Sequence, residues 1–234
     1  MSNPGQIWED PSTNKRYQCV TGITISTSLI DNDGSTTSTW RQLPNSCYGS
    51  TDGNLKALIE RTATELTLPA DLTKIGNDVF ELWTNLALTS LPERVTTIGE
   101  FAFSGCAKLA LTSLPEGLTT IGNSAFEECT NLALTSLPEG LTRIDDAAFN
   151  GCAKLALTSL PEGLTTIGNF AFEECTNLTN ITFKGTPNSI ASTAFSNCTK
   201  LTTINVPWSE GTVDGAPWGA TNATINYDYT GEEE

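Results

Sequence analysis

Five cysteines recur along this chain at intervals of 23 residues: Cys106, Cys129, Cys152, Cys175 and Cys198. Zinc sites take ligand pairs only two to four residues apart, so this spacing predicts no metal site. In units stacked at ~4.8 Å, the thiols would instead form a buried column of small apolar side chains. Trp83 occupies the equivalent position one unit earlier, which favours packing by reduced thiols. Outside the series, Cys19 and Cys47 either pair in a disulfide or belong to a core.

Acidic residues also recur, and a facing pair of carboxyl groups could hydrolyse a glycosidic bond. They are Glu116, Glu139 and Glu162, each after a proline, and the pairs Glu127–Glu128 and Glu173–Glu174. Such turn positions are typical of solvated side chains. The chain has no histidine, the commonest general base and metal ligand. Neither Asp145–Asp146 nor Asp31–Asp33 has the spacing of a calcium loop. We therefore expect no catalysis, cofactor or metal.

The charge balance limits the partners of this chain. It has 12 basic and 27 acidic side chains and a net charge of −15, which repels phosphate backbones and anionic membranes. We expect no nucleic-acid partner and no membrane insertion, because no apolar stretch approaches the length of a span. The segment 1–10 lacks the pattern of a signal peptide, so export by the general secretion route is not expected.

A strict 23-residue period must position all of these side chains. It is marked by an isoleucine and, five residues later, a phenylalanine. The isoleucines are Ile75, Ile98, Ile121, Ile144, Ile167 and Ile190, and the phenylalanines are Phe80, Phe103, Phe126, Phe149, Phe172 and Phe195. A fixed period of this length predicts an α/β repeat solenoid of about six units, in which stacked units share one core. Chemistry placed in one unit would be copied into every unit.

Each unit is expected to contain two short strands and a short helical turn. The apolar residues of the strands face inward, and the helical turn lies at Ala125–Cys129 and its equivalents. Gly122 and its equivalents are expected to need positive φ, with Ala191 as the place where the turn deviates. Interior units read Leu-x-Leu-x-x-Leu, whereas the last ones read Leu-x-x-Ile-x-Phe or Leu-x-x-Ile-x-Val. This shift predicts a bulge or change of register in the interior units.

Three regions follow from this period. Residues 1–54 predict a small β-rich module, with a strand near 17–25 and a hairpin turn at Asp31–Gly34. Residues 55–206 predict the solenoid, entered through a helix-like segment at 55–61. Residues 207–234 predict a C-terminal cap with Trp208 and Trp218, followed by an acidic tail. The first module either seals the solenoid or presents aromatic side chains for stacking.

One position in the unit varies while its neighbours do not. Three residues after each isoleucine stand Asp78, Phe101, Ser124, Ala147, Phe170 and Thr193. Phe101 and Phe170 would lie roughly 14 Å apart on a regular stack. They either anchor a partner or pack on adjacent turns. Arg94 and Arg143 interrupt runs of glycine and threonine and complete the candidate binding residues. The segments 106–128 and 152–174 are identical except that Phe170 replaces Ser124, which indicates a duplicated 46-residue unit.

The motif Leu-Thr-Thr-Ile-Gly-Asn-x-Ala-Phe-x-x-Cys-Thr-Asn-Leu, at 118–132 and 164–178, resembles the BspA-like leucine-rich repeat of bacterial surface proteins. The resemblance covers roughly residues 66–206 and implies a curved solenoid with adhesive or ligand-binding function. The segment 204–227 is similar to the endings of repeat proteins from phages and prophages of gut Firmicutes. This second resemblance implies a tail-associated component, carried in the virion and released by lysis.

The expected function is non-catalytic recognition of a host-surface protein or glycan, as part of a phage tail or baseplate. Residues 1–54 would then bind other virion proteins. A second interpretation is a cell-surface adhesin of a gut bacterium, exported by another route. A third is a glycan hydrolase that uses paired carboxylates.

Overall fold

The computed structural model of this chain describes residues 72–231 throughout, together with 66–68, residue 70 and short strands nearer the N-terminus. The strands are β1 (Ile7–Asp10), β2 (Lys15–Gln18), β3 (Ile23–Thr24), β4 (Leu66–Thr67), β5 (Lys74–Ile75), β6 (Thr97–Ile98), β7 (Thr120–Ile121), β8 (Arg143–Ile144), β9 (Ser159–Leu160), β10 (Thr166–Ile167), β11 (Asn180–Phe183), β12 (Ser189–Ile190), β13 (Thr203–Asn205) and β14 (Thr224–Asn226). Over these residues, no helix is long and apolar enough to cross a membrane.

The repeated isoleucines form a parallel six-stranded sheet with the order β5-β6-β7-β8-β10-β12. Each isoleucine pairs with the one 23 residues away, as Ile98 does with Ile121 and Ile121 with Ile144. One sheet position every 23 residues means that each unit makes one complete turn, which we call a coil. The predicted solenoid is confirmed, and it comprises about seven coils.

A second parallel sheet, β9-β11-β13-β14, lies toward the C-terminal end. It contains the units whose middle hydrophobic residue is shifted, with Ile181 opposite Ile204 in β11 and β13. The equivalent interior segments, such as 109–114 and 132–137, are irregular. Both units with the shifted pattern form strands here, and β9 is a two-residue strand from a unit with the interior pattern. Nearer the N-terminus, β1 pairs with β2 antiparallel and β3 with β4 parallel.

The repeated phenylalanines form one continuous ring stack through the core. The six rings, from Phe80 to Phe195, are fully buried, and successive centroids lie 5.1–5.5 Å apart with interplanar angles of 3–16°. Trp83 packs edge-on against Phe80 with a centroid distance of 5.2 Å. Because six successive coils contribute the same ring to the same column, apolar burial is shared between neighbouring coils.

The expected helical turn is absent from the described coils, and alternating backbone hydrogen bonds replace it. Cys106 N donates to Phe103 O within the coil, at 3.0 Å. Phe103 N instead donates to Ala125 O of the next coil, at 2.8 Å, and Gly105 N to Glu127 O at 2.7 Å. Left-handed residues such as Phe101 and Gly105 interrupt what would otherwise be a helix. Every second amide can therefore bridge to the next coil.

The expectation of positive φ at Gly122 and its equivalents is wrong. The left-handed residues lie instead two residues later, for example at Ser124 with φ 51°. The glycines at the earlier position lie against the backbone of the preceding coil, whereas Asp145 and Ala191 occupy the same position in two other coils. A Cβ on Gly122 would lie 2.9 Å from Glu100 N, and one on Gly168 would lie 2.5 Å from Asp146 N. The predicted deviation at Ala191 falls two residues later, since Thr193 lacks the positive φ of its equivalents.

Some side chains alternate with a period of two coils. Asn85, Lys108, Asn131 and Lys154 follow one another in one column. Lys108 Nζ donates to Asn85 Oδ1 at 2.7 Å, and Lys154 Nζ to Asn131 Oδ1 at 2.5 Å. In another column, a large residue in one coil is followed by a glycine in the next coil, again with a period of two coils. A Cβ on Gly105 would meet Leu82 at 2.8 Å, and one on Gly151 would meet Glu128 at 2.7 Å. The contacts between coils therefore follow the same 46-residue period as the sequence duplication.

At the C-terminal end, Trp208 and Trp218 are buried beside Phe183, at centroid distances of 5.2 and 6.0 Å. That they close the core as a cap stays a prediction, as do the three regional boundaries. The proposed hairpin at Asp31–Gly34, the helix-like segment 55–61, and Cys19 and Cys47 lie outside the described residues.

Candidate functional site

The variable position lies on the side of the solenoid where the left-handed turns stack, and we call its six residues the variable stripe. They are Asp78, Phe101, Ser124, Ala147, Phe170 and Thr193. The first five have φ between 51° and 56°. A left-handed residue other than glycine costs roughly 1–2 kcal/mol, and bulky residues rarely adopt this conformation. Phenylalanine at this place is therefore an unfavourable choice for folding alone.

Phe170 is the residue of the stripe that presents an aromatic ring to solvent. Its exposed fraction is 41%, whereas that of Ser124, in an otherwise identical coil, is 8%. The same coil thus accepts serine with the same left-handed backbone. Folding does not require the ring, and an exposed large apolar side chain is a typical anchor for a partner.

Phe101 lies on the same stripe, three coils before Phe170, and is half-buried. The core rings advance by 5.3–5.5 Å per coil over this span. The two residues are therefore separated by about 16 Å along the stack. Phe170 projects into solvent, whereas Phe101 is partly packed, and the role of either ring in binding stays a prediction.

Arg143 lies on the outer face of strand β8, where neighbouring coils have threonine. Its Nε forms an ion pair with Asp145 Oδ1. The hydrogen bond and the charge of Asp145 raise the pKa of the Arg143 guanidinium above its ordinary value. Asp145 replaces a glycine of the close-packed column, two residues before Ala147 of the stripe. This coil therefore carries a charged pair between the sheet face and the variable stripe.

Arg94 is exposed but belongs to a different part of the coil. It follows Pro92–Glu93 at the corner before β6, where later coils have Gly117, Gly140 and Gly163. The structure thus places Phe101, Phe170 and Arg143 on or beside one stripe, and it places Arg94 at the corner.

Leu82, which the sequence analysis did not single out, is as exposed as Phe170 at 41% and has φ 60°. The available signal in the sequence was an apolar residue in a column that otherwise contains glycine, glutamate and asparagine.

The five repeated cysteines are buried and unpaired. Each thiol donates to a phenylalanine carbonyl 26 residues earlier, as Cys152 does to Phe126 O at 3.1 Å. Burial raises the pKa of Cys106 and of Cys198 to about 12, and it raises those of Cys129, Cys152 and Cys175 as well. Neutral, buried thiols are poor nucleophiles and poor metal ligands.

The recurrent carboxylates lie on the exposed surface. Glu116, Glu139 and Glu162 are exposed at successive corners, and Glu139 forms an ion pair with Lys184. Glu173 accepts hydrogen bonds from Asn150 Nδ2 and Asn197 Nδ2, at 3.0 and 3.3 Å. Side chains from other coils thus hold Glu139 and Glu173. Over the residues that the structure describes, no group of three or more acidic, cysteine or histidine side chains could hold a metal ion.

Comparisons with known proteins match this architecture. The model of the BspA type leucine-rich repeat region, in six copies, matches residues 56–158 and 142–215. A crystal structure of a leucine-rich repeat protein from T. pallidum is similar, with 29% identity and a TM-score of 0.51, over 62% of this chain and 69% of that one. No curated protein matches the chain.

Two further structures are similar at 22% identity. One is a leucine-rich repeat protein from Bacteroides ovatus ATCC 8483, with a TM-score of 0.34, over 72% of this chain and 61% of that one. The other is described as a leucine-rich cell surface protein from Faecalibacterium prausnitzii A2-165, with a TM-score of 0.44, over 88% of this chain and 56% of that one. The chain thus spans less than two thirds of these two proteins.

Proposed function

Because this chain belongs to the BspA-type leucine-rich repeat family, we propose that it is a non-catalytic binding protein that recognises a bacterial surface through its variable stripe. The observation that carries the proposal is Phe170, exposed at a left-handed position where an otherwise identical coil has serine. Removing such an anchor from a binding interface typically weakens binding by more than ~1 kcal/mol.

The partner in this proposal is a protein or a glycan of a bacterial host surface. Phe101, about 16 Å away, provides a second apolar contact, so an extended partner spanning several coils would engage both rings. Arg143 and Asp145 lie beside the stripe between them and supply a charged pair for orientation. Such charges contribute more to selectivity and association rate than to affinity.

The proposal includes a place in a phage tail or baseplate, with residues 1–54 as the attachment to other virion proteins. The similarity of residues 204–227 to the endings of phage-encoded repeat proteins supports it. Mass spectrometry of purified virions from an induced producing strain tests this part. Detection in the particles supports it, whereas detection only on the producing cell surface would make the chain an adhesin of that cell.

Binding of the fluorescently labelled chain to intact gut bacteria, measured by flow cytometry over a panel of strains, tests the stripe. On a strain that binds the chain, we expect Phe170→Ser to weaken binding about tenfold, which corresponds to ~1.4 kcal/mol. The variant should fold, because the coil 106–128 already has serine there.

Leu82→Ser is the matched control, since Leu82 has the same exposed fraction and also a left-handed backbone but lies outside the stripe. It should leave binding unchanged. Equal weakening by both variants would mean that general stickiness, not the stripe, causes the binding. Release of sugars from wall polysaccharide during incubation would overturn the non-catalytic assignment.

A further inference from the structure

A surface groove lies near the C-terminal end of the described solenoid, and none of its lining residues belongs to the variable stripe. It runs between the end of strand β11, Pro207 and the segment 228–231, with a volume of about 560 Å³. Ligand pockets commonly have volumes of ~300–1,000 Å³. The groove is therefore large enough for a small organic ligand.

Backbone hydrogen bonds hold Asp228 and Tyr229 in one wall of the groove. Tyr229 N donates to Val206 O at 2.9 Å, and Asp228 N donates to Trp208 O at 3.1 Å. Ser209 Oγ donates to Asp228 Oδ1 at 2.6 Å and so orients the carboxylate. The groove is thus formed before any ligand arrives, which lowers the entropy lost on binding.

The lining combines apolar surface with hydrogen-bonding groups of both kinds. Pro207 and the half-buried Tyr229 contribute apolar faces beside Phe183. Asp228 is exposed, and its second carboxylate oxygen is an acceptor. Lys184 Nζ is a donor whose ion pair with Glu139 is solvent-exposed and therefore weak. The Thr182 hydroxyl accepts from Asn205 Nδ2, so its own proton is available to donate.

We propose that this groove binds a neutral saccharide. A sugar ring has apolar C–H faces for Tyr229 and Pro207, and its hydroxyls can both donate to Asp228 and accept from Lys184 and Thr182. A purely apolar ligand would desolvate Asp228 and Lys184 without giving them partners. An anionic ligand would meet the Asp228 carboxylate on a chain with a net charge of −15. A neutral polyhydroxylated ligand offers hydrogen-bond partners to Asp228, Lys184 and Thr182.

Saturation-transfer NMR with the whole chain tests the proposal. The probes are four neutral disaccharides, namely maltose, cellobiose, lactose and N,N′-diacetylchitobiose, with digalacturonic acid as an anionic comparison. We expect millimolar binding of at least one neutral disaccharide, and no binding of the anionic one. Asp228→Asn should weaken that binding at least tenfold, because asparagine keeps the shape and the left-handed backbone but loses the charged acceptor.

Lys184→Gln provides a second variant and should weaken binding several-fold. Glu210→Gln is the matched control, because it removes one exposed carboxylate that does not line the groove, and it should leave binding unchanged. Absence of binding by all four neutral probes, equal binding by Asp228→Asn, or binding of the anionic disaccharide alone would overturn the proposal. Since Phe170→Ser reports on the stripe and Asp228→Asn on the groove, the two proposals fail independently.

Discussion

The buried thiols show how much of a single residue's environment the repeat period determines. The 23-residue spacing of the cysteines predicts one buried column, and the structure has one. Their hydrogen-bond partners were not predictable in the same way. Each thiol reaches back 26 residues to a phenylalanine carbonyl, because adjacent coils pack with their turns offset. A sequence period shows which residues occupy equivalent positions in successive coils. It does not show which non-equivalent positions come into contact.

Raised thiol pKa values make the stability of the fold sensitive to alkaline pH. The pKa of Cys106 and of Cys198 rises from 9.0 to about 12 on burial, so folding favours the protonated thiol. Their contribution is complete below pH 9 and is lost as the pH rises toward 12. We expect the free energy of unfolding to fall above pH 9, by up to ~1.4 kcal/mol per pH unit for each thiol.

Urea unfolding at pH 8, 9, 10 and 10.5 measures this loss. The double variant Cys106→Ser/Cys198→Ser is the control, because it retains the tyrosines that also titrate in this range. Its free energy of unfolding should fall less steeply above pH 9 than that of the unmodified chain. Equal slopes would show that these thiols do not couple folding to protons.

At the scale of the coil, the close-packed glycines correct a prediction based on backbone conformation. A glycine before a turn suggested positive φ, yet Gly122 and Gly168 instead lie against the backbone of the preceding coil. Contact between residues far apart in sequence has no local signature, so sequence reasoning located the glycines and misjudged their role. The left-handed residues were missed because the chain places phenylalanine, serine and glutamate there in place of glycine.

Two glycine-to-alanine substitutions distinguish the effect of steric crowding on stability from the general effect of replacing a glycine. A Cβ on Gly168 would lie 2.5 Å from Asp146 N and 2.7 Å from Asp145 C, which are backbone atoms that cannot move independently. We expect Gly168→Ala to destabilise the fold by about 1–3 kcal/mol. Gly117→Ala should change stability by less than ~1 kcal/mol, because the nearest atoms lie 4.0 Å from its Cβ. Thermal unfolding of both variants provides the comparison, and equal destabilisation would contradict it.

At the scale of the whole molecule, the two-coil alternation makes some coil interfaces compatible and others not. The coils 106–128 and 152–174 are nearly identical but never adjacent. Between them lies a coil with Asn131 where they have lysine, and with Gly151 where they have glutamate. Like charges on adjacent coils would lie about 5 Å apart, well within the ~10 Å screening length at 0.1 M salt.

Deletions along these boundaries give opposite results. Removing residues 129–174 joins the coil 106–128 to Cys175 and recreates a native interface, so we expect one cooperative transition. Removing residues 129–151 places Lys154 next to Lys108, and Glu174 next to Glu128. The chain that lacks residues 129–151 is the longer of the two. Adding 1 M salt should nevertheless raise its free energy of unfolding more than that of the chain that lacks residues 129–174. Urea unfolding at low and high salt tests this, and identical salt responses would contradict the role of alternation.

The near-identity of the two coils also bears on the gene that encodes them. Misaligned recombination between the two stretches would remove or add two coils at a time without creating a foreign interface. A crossover before codon 124 retains the Phe170 side chain in the shortened product, and a crossover after it retains the Ser124 side chain. A single exchange can therefore shorten the array and either keep or remove its aromatic anchor. The length of the binding surface and its avidity can thus vary while the fold is preserved.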